Sequence, residues 1–483
     1  MLEIPENGRN RDEILRDLKD FKKNDPAYKS LKTWSLVYYL GEEHNDFLTD
    51  AYKEYLSTNG LNPTVFKSLK RLETEVIQMT ASLLHGDRNV CGVVTSGGTE
   101  SCLLPVKTYR DMARAKKPWI KRPEMIIPVT AHVAWEKAAE YFGVKAVHAP
   151  LDKNYRVDVK AVKKLINRRT IMLLGSAPEY PHGIIDPIEE LSELAVANKI
   201  PLHVDACVGG YILPFIEKLG YELPKWDYRV PGVTSISADT HKYGFAAKGA
   251  STITYRNVDY FKYQLFVHEN WPGGVFASPA LLGTRPGGAY AAAWAAMQAM
   301  GINGYKKYTQ DTINAAQALI KGINEIPELH VIGNPQASLF SYNSPNNDVN
   351  IFAVGDQMEE RGWQLDRLQF PEALHAMVTP LHLDVVDDYL KDLRESVEHV
   401  KQNPHLAEVG GAAMYGMIAN IPVRGMVRKN VLNMFAGMYG PDAKMIDFND
   451  AQIDDVDGAE TGDSSDLGQK IAMWFVKRKN RKK

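Results

Sequence analysis

From Phe66 the apolar residues Phe66, Leu69, Leu72, Val76, Met79 and Leu83 recur at three- and four-residue steps with charges opposite, which predicts an amphipathic helix packed on a core. Beyond it the pattern changes. Short apolar runs at residues 91–95, 125–129, 144–149, 170–174, 202–205 and 233–237 read as strands, and the segments running to about residue 115 and over 133–142 read as helices. Strands alternating with helices predict an α/β fold with a mostly parallel sheet covered on both faces. A long helix over about 289–300 then leads into a smaller C-terminal domain, where 340–342 and 350–352 are expected strands and 358–363 ends a helix. The chain shows no internal repeats. It divides into an N-terminal segment (1–60), a large domain (61–295), a small domain (296–450) and a tail (451–483).

The ends differ in kind from the middle. Residues 10–23 are a charged lead-in, followed by the aromatic run Trp34, Tyr38 and Tyr39; residues 57–63, rich in Asn, Gly and Pro, form a loop carrying Asn59 and Asn62. After Asp450 the chain turns acidic, and 454–466 reads as flexible. Leu467, Ile471, Trp474 and Phe475 then precede a basic run at 477–483. That end reads either as a helix packed on the domain with a solvated basic tail, or as a weak peripheral contact with an anionic membrane.

Composition narrows the class. With 483 residues, 45% hydrophobic and 24% charged, this is an ordinary globular chain, and a net charge of −2 argues against a dedicated nucleic-acid binder. Three cysteines, Cys91, Cys102 and Cys207, have no metal-ligand spacing and cannot build a disulfide framework, which points to the cytoplasm. No run approaches the roughly 18 apolar residues of a membrane span, and the N-terminus lacks the apolar core of a signal peptide.

Three stretches carry chemistry. The run 233–237 delivers Asp239, Thr240, His241, Lys242 and then Gly244, a setting for a Schiff-base lysine whose pKa is lowered by a cationic or hydrogen-bonding neighbour. Asp205 ends a buried strand 37 residues earlier, where a carboxylate can keep a pyridinium nitrogen protonated. Ser96, Gly97, Gly98 and Thr99 lie between a strand and a helix, so that backbone N–H groups and the helix N-terminus form a phosphate cradle; the spacing is that of neither a dinucleotide fingerprint nor a P-loop.

The segments 96–101, 132–139, 203–210 and 237–244, together with 175–178, 231–235, Trp271-Pro272-Gly273-Gly274 and Gly283-Thr284-Arg285-Pro286-Gly287, resemble the pyridoxal-phosphate lyases that cleave sphingosine 1-phosphate, within the group II decarboxylase family. The likeness runs from about Thr33 to Arg428. It implies the fold-type I transferase fold, with a mostly parallel seven-stranded sheet in the large domain and a smaller α+β C-terminal domain. It also implies pyridoxal 5'-phosphate as cofactor and a homodimer with active sites at the subunit interface. The membrane anchor of eukaryotic relatives has no counterpart here, so a bacterial-type soluble form is expected.

The resemblance assigns roles residue by residue. Lys242 carries the cofactor, with His241 beside it; Asp205 faces the ring nitrogen, His132 stacks on the ring, Cys207 lies on its other face and Ser176 near its phenolic oxygen. Thr284, from the partner's loop, reaches the cofactor phosphate, whereas Arg285 pairs structurally. Tyr38 matches a tyrosine that enters the active site; read from its neighbours alone it is equally an apolar anchor for the N-terminal arm. Lys248 matches a second active-site lysine, lowered in pKa by its alanine surroundings. As an isolated residue it reads as an exposed turn lysine. His132 alone reads as a helix cap. Asn59 and Asn62 fall in the substrate-phosphate loop, with Asn62 in place of the family's usual histidine, which leaves room for another phosphorylated amino alcohol. Tyr180 and His182 are candidates for substrate contact or parts of a structural turn.

The implied reaction is retro-aldol cleavage to a long-chain aldehyde and phosphoethanolamine, with Lys248 or Tyr38 taking the hydroxyl proton. An amino-acid decarboxylase on the same fold uses the same lysine, acid and histidine. A non-catalytic cofactor- or lipid-binding relative is the reading of a different class, against which the intact Lys242, Asp205 and His132 argue.

Overall fold

The strand delivering Asp205 lies in the middle of the main sheet because its residues 202–205 are buried on both sides. The computed structural model describes residues 3–441 apart from residue 422. Seven strands, β1 (Cys91–Thr95), β2 (Glu124–Pro128), β3 (Lys145–Ala149), β4 (Thr170–Ser176), β5 (Leu202–Asp205), β6 (Val233–Ala238) and β7 (Ser251–Tyr255), form one sheet in the order β1-β7-β6-β5-β4-β2-β3. All neighbours pair in parallel except at β7, which runs antiparallel to both β1 and β6. Alternation along the strands feeds two cores. Ile126 and Leu173 join the apolar cluster on one face, while Met125, Ile127, Met172 and Leu174 join that on the other.

The pattern of the chain did not announce β7. Four of its five residues, Ser251, Thr252, Thr254 and Tyr255, carry hydroxyls, and burial is tolerated because Thr252 and Thr254 donate to the carbonyls of Ala238 and Ile236 on β6. A hairpin of β8 (Phe266–His268) and β9 (Phe276–Ser278) follows, with Phe266, Val267, Trp271 and Val275 exposed.

The helix Lys67–Leu83 packs Leu69, Leu72 and Val76 inward as its periodicity predicts. The helix expected over 289–300 starts at Gly287 and stops at a kink at Gly301, whose φ of 54° is not helical, and a second helix continues from there to Asn324. A second, antiparallel sheet follows in the order β10 (His330–Val331), β11 (Leu339–Asn343), β13 (Glu372–Met377) and β12 (Asp366–Gln369). Residues 350–352 are not the strand expected there. Asn350 caps the helix Ile351–Glu360, its side chain accepting from the Ala353 N–H at 2.9 Å, and the buried Ile351 and Phe352 are that helix's inner face. Among the described residues no helix is long and apolar enough to cross a membrane. The acidic stretch and basic end of the tail, with its membrane-contact reading, lie outside the described residues.

Candidate active site

The parallel strands end together, and their carboxyl ends converge on one place. Ser176 closes β4 directly opposite Asp205 on β5, and Asp205 pairs with Ser237 on β6, so three adjacent strand ends carry polar side chains side by side. Lys242 follows in the loop from β6 to β7. That loop holds Phe245 at φ 51°, a left-handed conformation unusual for a bulky residue, and the Tyr243 hydroxyl ties it to the Val378 carbonyl at 2.7 Å.

Asp205 is the best-satisfied acid of the group. Oδ2 accepts from Trp135 Nε1 at 2.9 Å and from Cys102 Sγ at 3.7 Å; Oδ1 accepts from the Cys207 N–H at 3.1 Å and Ser237 Oγ at 3.3 Å. Burial works to raise its pKa, but the Trp135 and Cys207 hydrogen bonds prevail and hold the carboxyl below its ordinary value. It is therefore an anion kept ready for a cation. Cys207 Sγ lies 4.0 Å from Cys102 Sγ and 3.4 Å from Ser237 Oγ. The Cys102 contact and burial push the Cys207 thiol well above its usual range, so it presents a neutral face. Trp135 falls in the segment 132–139 that carried the resemblance, but sequence reasoning gave it no role; its place at the start of the helix Ala134–Phe142, just after His132, was the available signal.

The Lys242 ammonium lies 2.8 Å from Asp239 Oδ2. Burial opposes the charge, but Asp239 outweighs it and holds Lys242 well above the ordinary lysine value. This reverses the lowered pKa expected from the sequence: a buried carboxylate three residues upstream acts more strongly than the histidine next door. Asp239 also touches the cradle. A Cβ at Gly98 would fall 2.6 Å from Asp239 Oδ2, so only glycine fits where the helix Gly98–Lys116 begins. Ser96 donates its N–H and its hydroxyl to Glu100, both at 2.7 Å, and Gly97 caps the helix while Thr99 is exposed in its first turn. His241 Nδ1 meets the Ala250 carbonyl, and burial lowers its pKa.

On the open side, His132 caps the following helix, its Nδ1 accepting from the Ala134 N–H at 3.2 Å, with its ring edge-on to Tyr180 at 6.3 Å. The protein around it lowers its pKa despite the pull of Asp205. Tyr38 packs edge-on against Tyr243 at 5.0 Å, and the Lys248 ammonium lies over its ring at 5.0 Å from the centroid. Burial lifts the Tyr38 phenol well above 10, against the opposing Lys242 charge. Lys248 is exposed, as its reading as a turn lysine expected, and donates to the Leu36 carbonyl at 2.8 Å; surrounding protein and then the Lys242 charge nevertheless push its pKa down to about 8.

Asn59, Asn62, Thr284 and Arg285 lie apart from the Lys242 group. Asn59 donates to Thr284 Oγ1 at 3.2 Å, and Asn62 accepts from the Thr64 N–H and hydroxyl at 3.0 and 2.7 Å. Arg285 pairs with Glu73 at 3.4 Å and Tyr290 at 2.8 Å, the structural role expected of it. Within one chain these side chains bond to one another and to backbone rather than to the Lys242 group. Tyr180 donates to Asp366 at 2.7 Å and stacks on His375. His182 is buried, 3.4 Å from Glu179 and against the Tyr155 ring, which is the structural alternative.

A pyridoxal ring fits this donor set: the buried Asp205 carboxylate, held as an anion, would pair with its nitrogen, Lys242 would take its aldehyde carbon, and the glycine cradle its phosphate, while Asp239 lies 2.8 Å from the Lys242 ammonium.

The pyridoxal-dependent decarboxylase conserved domain matches residues 37–344. The chain is 46% identical over 435 residues to a sphingosine-1-phosphate lyase of Arabidopsis thaliana, covering 88% of this chain and 79% of that protein. Among solved structures it is similar to the sphingosine-1-phosphate lyase of Burkholderia pseudomallei, at 37% identity and a TM-score of 0.81, covering 90% of this chain and 97% of the other. A glutamate decarboxylase of Lactobacillus brevis shares the fold at 21% identity and a TM-score of 0.73, over 83% and 95% of the two chains. Lys242, the buried Asp205 and the glycine turn at residues 97–98 thus stand in a chain that belongs to the pyridoxal-dependent decarboxylase family, among its sphingosine-1-phosphate lyases.

Proposed function

We propose that the chain cleaves sphingosine or sphinganine 1-phosphate by a retro-aldol reaction, releasing a long-chain aldehyde and phosphoethanolamine. The observation that carries this reading is the placement of a second lysine, Lys248, whose Nζ lies 5.0 Å over the Tyr38 ring and near enough to Lys242 for that charge to help lower its pKa. Loss of a carboxylate requires no base at a hydroxyl; retro-aldol cleavage does. Pyridoxal phosphate, when bound, supplies the electron sink for the broken carbon–carbon bond. The protein's own work would be to hold that ring with His132 and Cys207, to keep its nitrogen protonated through Asp205, and to accept the hydroxyl proton at the neutral Lys248 amine, which lies over the Tyr38 ring. Asn59 and Asn62 are assigned to the substrate phosphate and Tyr180 to the substrate, and Ser176 to the ring oxygen.

A homodimer is part of the same reading. It is supported by the separation of Thr284 and the asparagines from the Lys242 group, and by the exposed Phe266, Val267, Trp271, Leu281 and Leu282 of the hairpin and following loop. In that arrangement Thr284 serves the cofactor phosphate of the partner. Three free thiols support a cytoplasmic setting. The test is an aldehyde assay of the purified protein with sphinganine 1-phosphate, using Lys242→Ala as control. Aldehyde from the wild type alone supports the lyase; carbon dioxide from an amino acid, without aldehyde, would assign a decarboxylase instead.

A further inference from the structure

Asp239 is 1% exposed, and apart from the Lys242 ammonium 2.8 Å away neither of its carboxylate oxygens has a hydrogen-bond partner. A buried anion so sparsely satisfied is costly unless its one cation stays in place. The other ionisable groups facing the pair do not substitute for it. Tyr38 is held neutral by burial and Cys207 by its Cys102 contact and burial; burial lowers His132 and His241, the latter with Nε2 3.9 Å from Asp239 Oδ2, and Lys248 is a second basic group pressing on the first. Asp205 is committed to Trp135, Ser237 and the Cys207 N–H.

We propose that Asp239 is a positioning residue for the reactive lysine, a buried counter-ion that receives the Lys242 amine whenever it is not covalently engaged and keeps it protonated and oriented. The inference rests on Lys242 being the cofactor lysine, and it is independent of the substrate. An ammonium has no lone pair to give. To attack an aldehyde carbon, Lys242 must first lose one proton to solvent; the nitrogen lone pair then forms the carbon–nitrogen bond, and the carbonyl oxygen leaves as water. Asp239 therefore sets how readily the free amine becomes a nucleophile. It also marks where the amine rests after a substrate amine displaces it.

The experiment is competitive labelling of the full-length chain, freed of cofactor, with trace acetic anhydride, read lysine by lysine by mass spectrometry across pH. In the wild type Lys242 is expected to acetylate at least tenfold more slowly than Lys248 at pH 7.5. Asp239→Asn, similar in size but uncharged, is expected to speed Lys242 at least tenfold and to shift its pH profile down by a unit or more; Asp239→Glu, which keeps the charge, is expected to follow the wild type. A purely structural role would lower the melting temperature and leave the Lys242 pH profile in place. Lys242 labelling in the wild type as fast as Lys248 overturns the proposal without any variant, as does an Asp239→Asn profile that coincides with the wild type. No sphingoid substrate enters, so a negative aldehyde assay and a negative labelling result are separable.

Discussion

Trp135 Nε1 donates to Asp205 Oδ2 at 2.9 Å, joining a helix that follows β2 to the end of β5, 70 residues away in the chain. The bond helps keep Asp205 charged and fixes its direction. Trp135→Phe keeps most of the packing and removes the donor. A hydrogen bond to a buried charged group is worth roughly 1.5–3 kcal/mol, so the variant should lose cofactor about tenfold more readily. Dialysis followed by absorption spectroscopy measures this; retention equal to the wild type would show that the indole does not matter to the acid.

Lys248, with its pKa of about 8, makes a directional statement about pH. A base must be unprotonated to act, so lyase activity should rise with pH through about 8 and level above it. Lys248→Met should lose that limb and roughly 100-fold or more in kcat, while the cofactor absorption band remains. A wild-type-like pH profile in the variant would transfer the role to Tyr38, for which Tyr38→Phe is the matching test.

His203 is buried between Ser235 and Ser237, and burial lowers its pKa from 6.5 to about 3. Between those values the unfolded chain binds the extra proton. The folded state is therefore penalised as pH falls below 6.5, by about 1.4 kcal/mol per unit, and the effect ends near 3. His203→Asn should reduce the stability lost between pH 6.5 and 5 by on the order of 2 kcal/mol, read from urea midpoints. An unchanged acid slope would mean the imidazole is not neutral in the folded chain.

Gly98 has no room for a methyl group, because its Cβ would lie 2.6 and 2.9 Å from the Asp239 oxygens. Gly98→Ala should cost roughly 1–3 kcal/mol and weaken cofactor binding. Adding Asp239→Ala should restore part of the melting temperature without restoring activity, since the clash disappears together with the lysine's partner.

Much of this was written in local pattern. Periodicity marked Lys67–Leu83 as a helix, and short apolar runs marked β1 to β6, because burial on a sheet or a core selects apolar residues at a fixed local period. The signal failed where other forces ruled. β7 is hydroxyl-rich and buried only because β6 offers carbonyls to its threonines, and Ile351 and Phe352 are helical because Asn350 caps them.

Lys242, Asp205, the glycine cradle and His132 were recognisable as residue types in order along the chain, and that order determined the family and the cofactor. Their charge states were not. The sign of the Lys242 shift depends on whether a carboxylate or an imidazole lies nearer its nitrogen, and the readiness of Asp205 depends on an indole from another helix. Electrostatic energy in a buried site follows distances of a few ångströms and the loss of water, and neither exists until strands far apart in sequence end side by side.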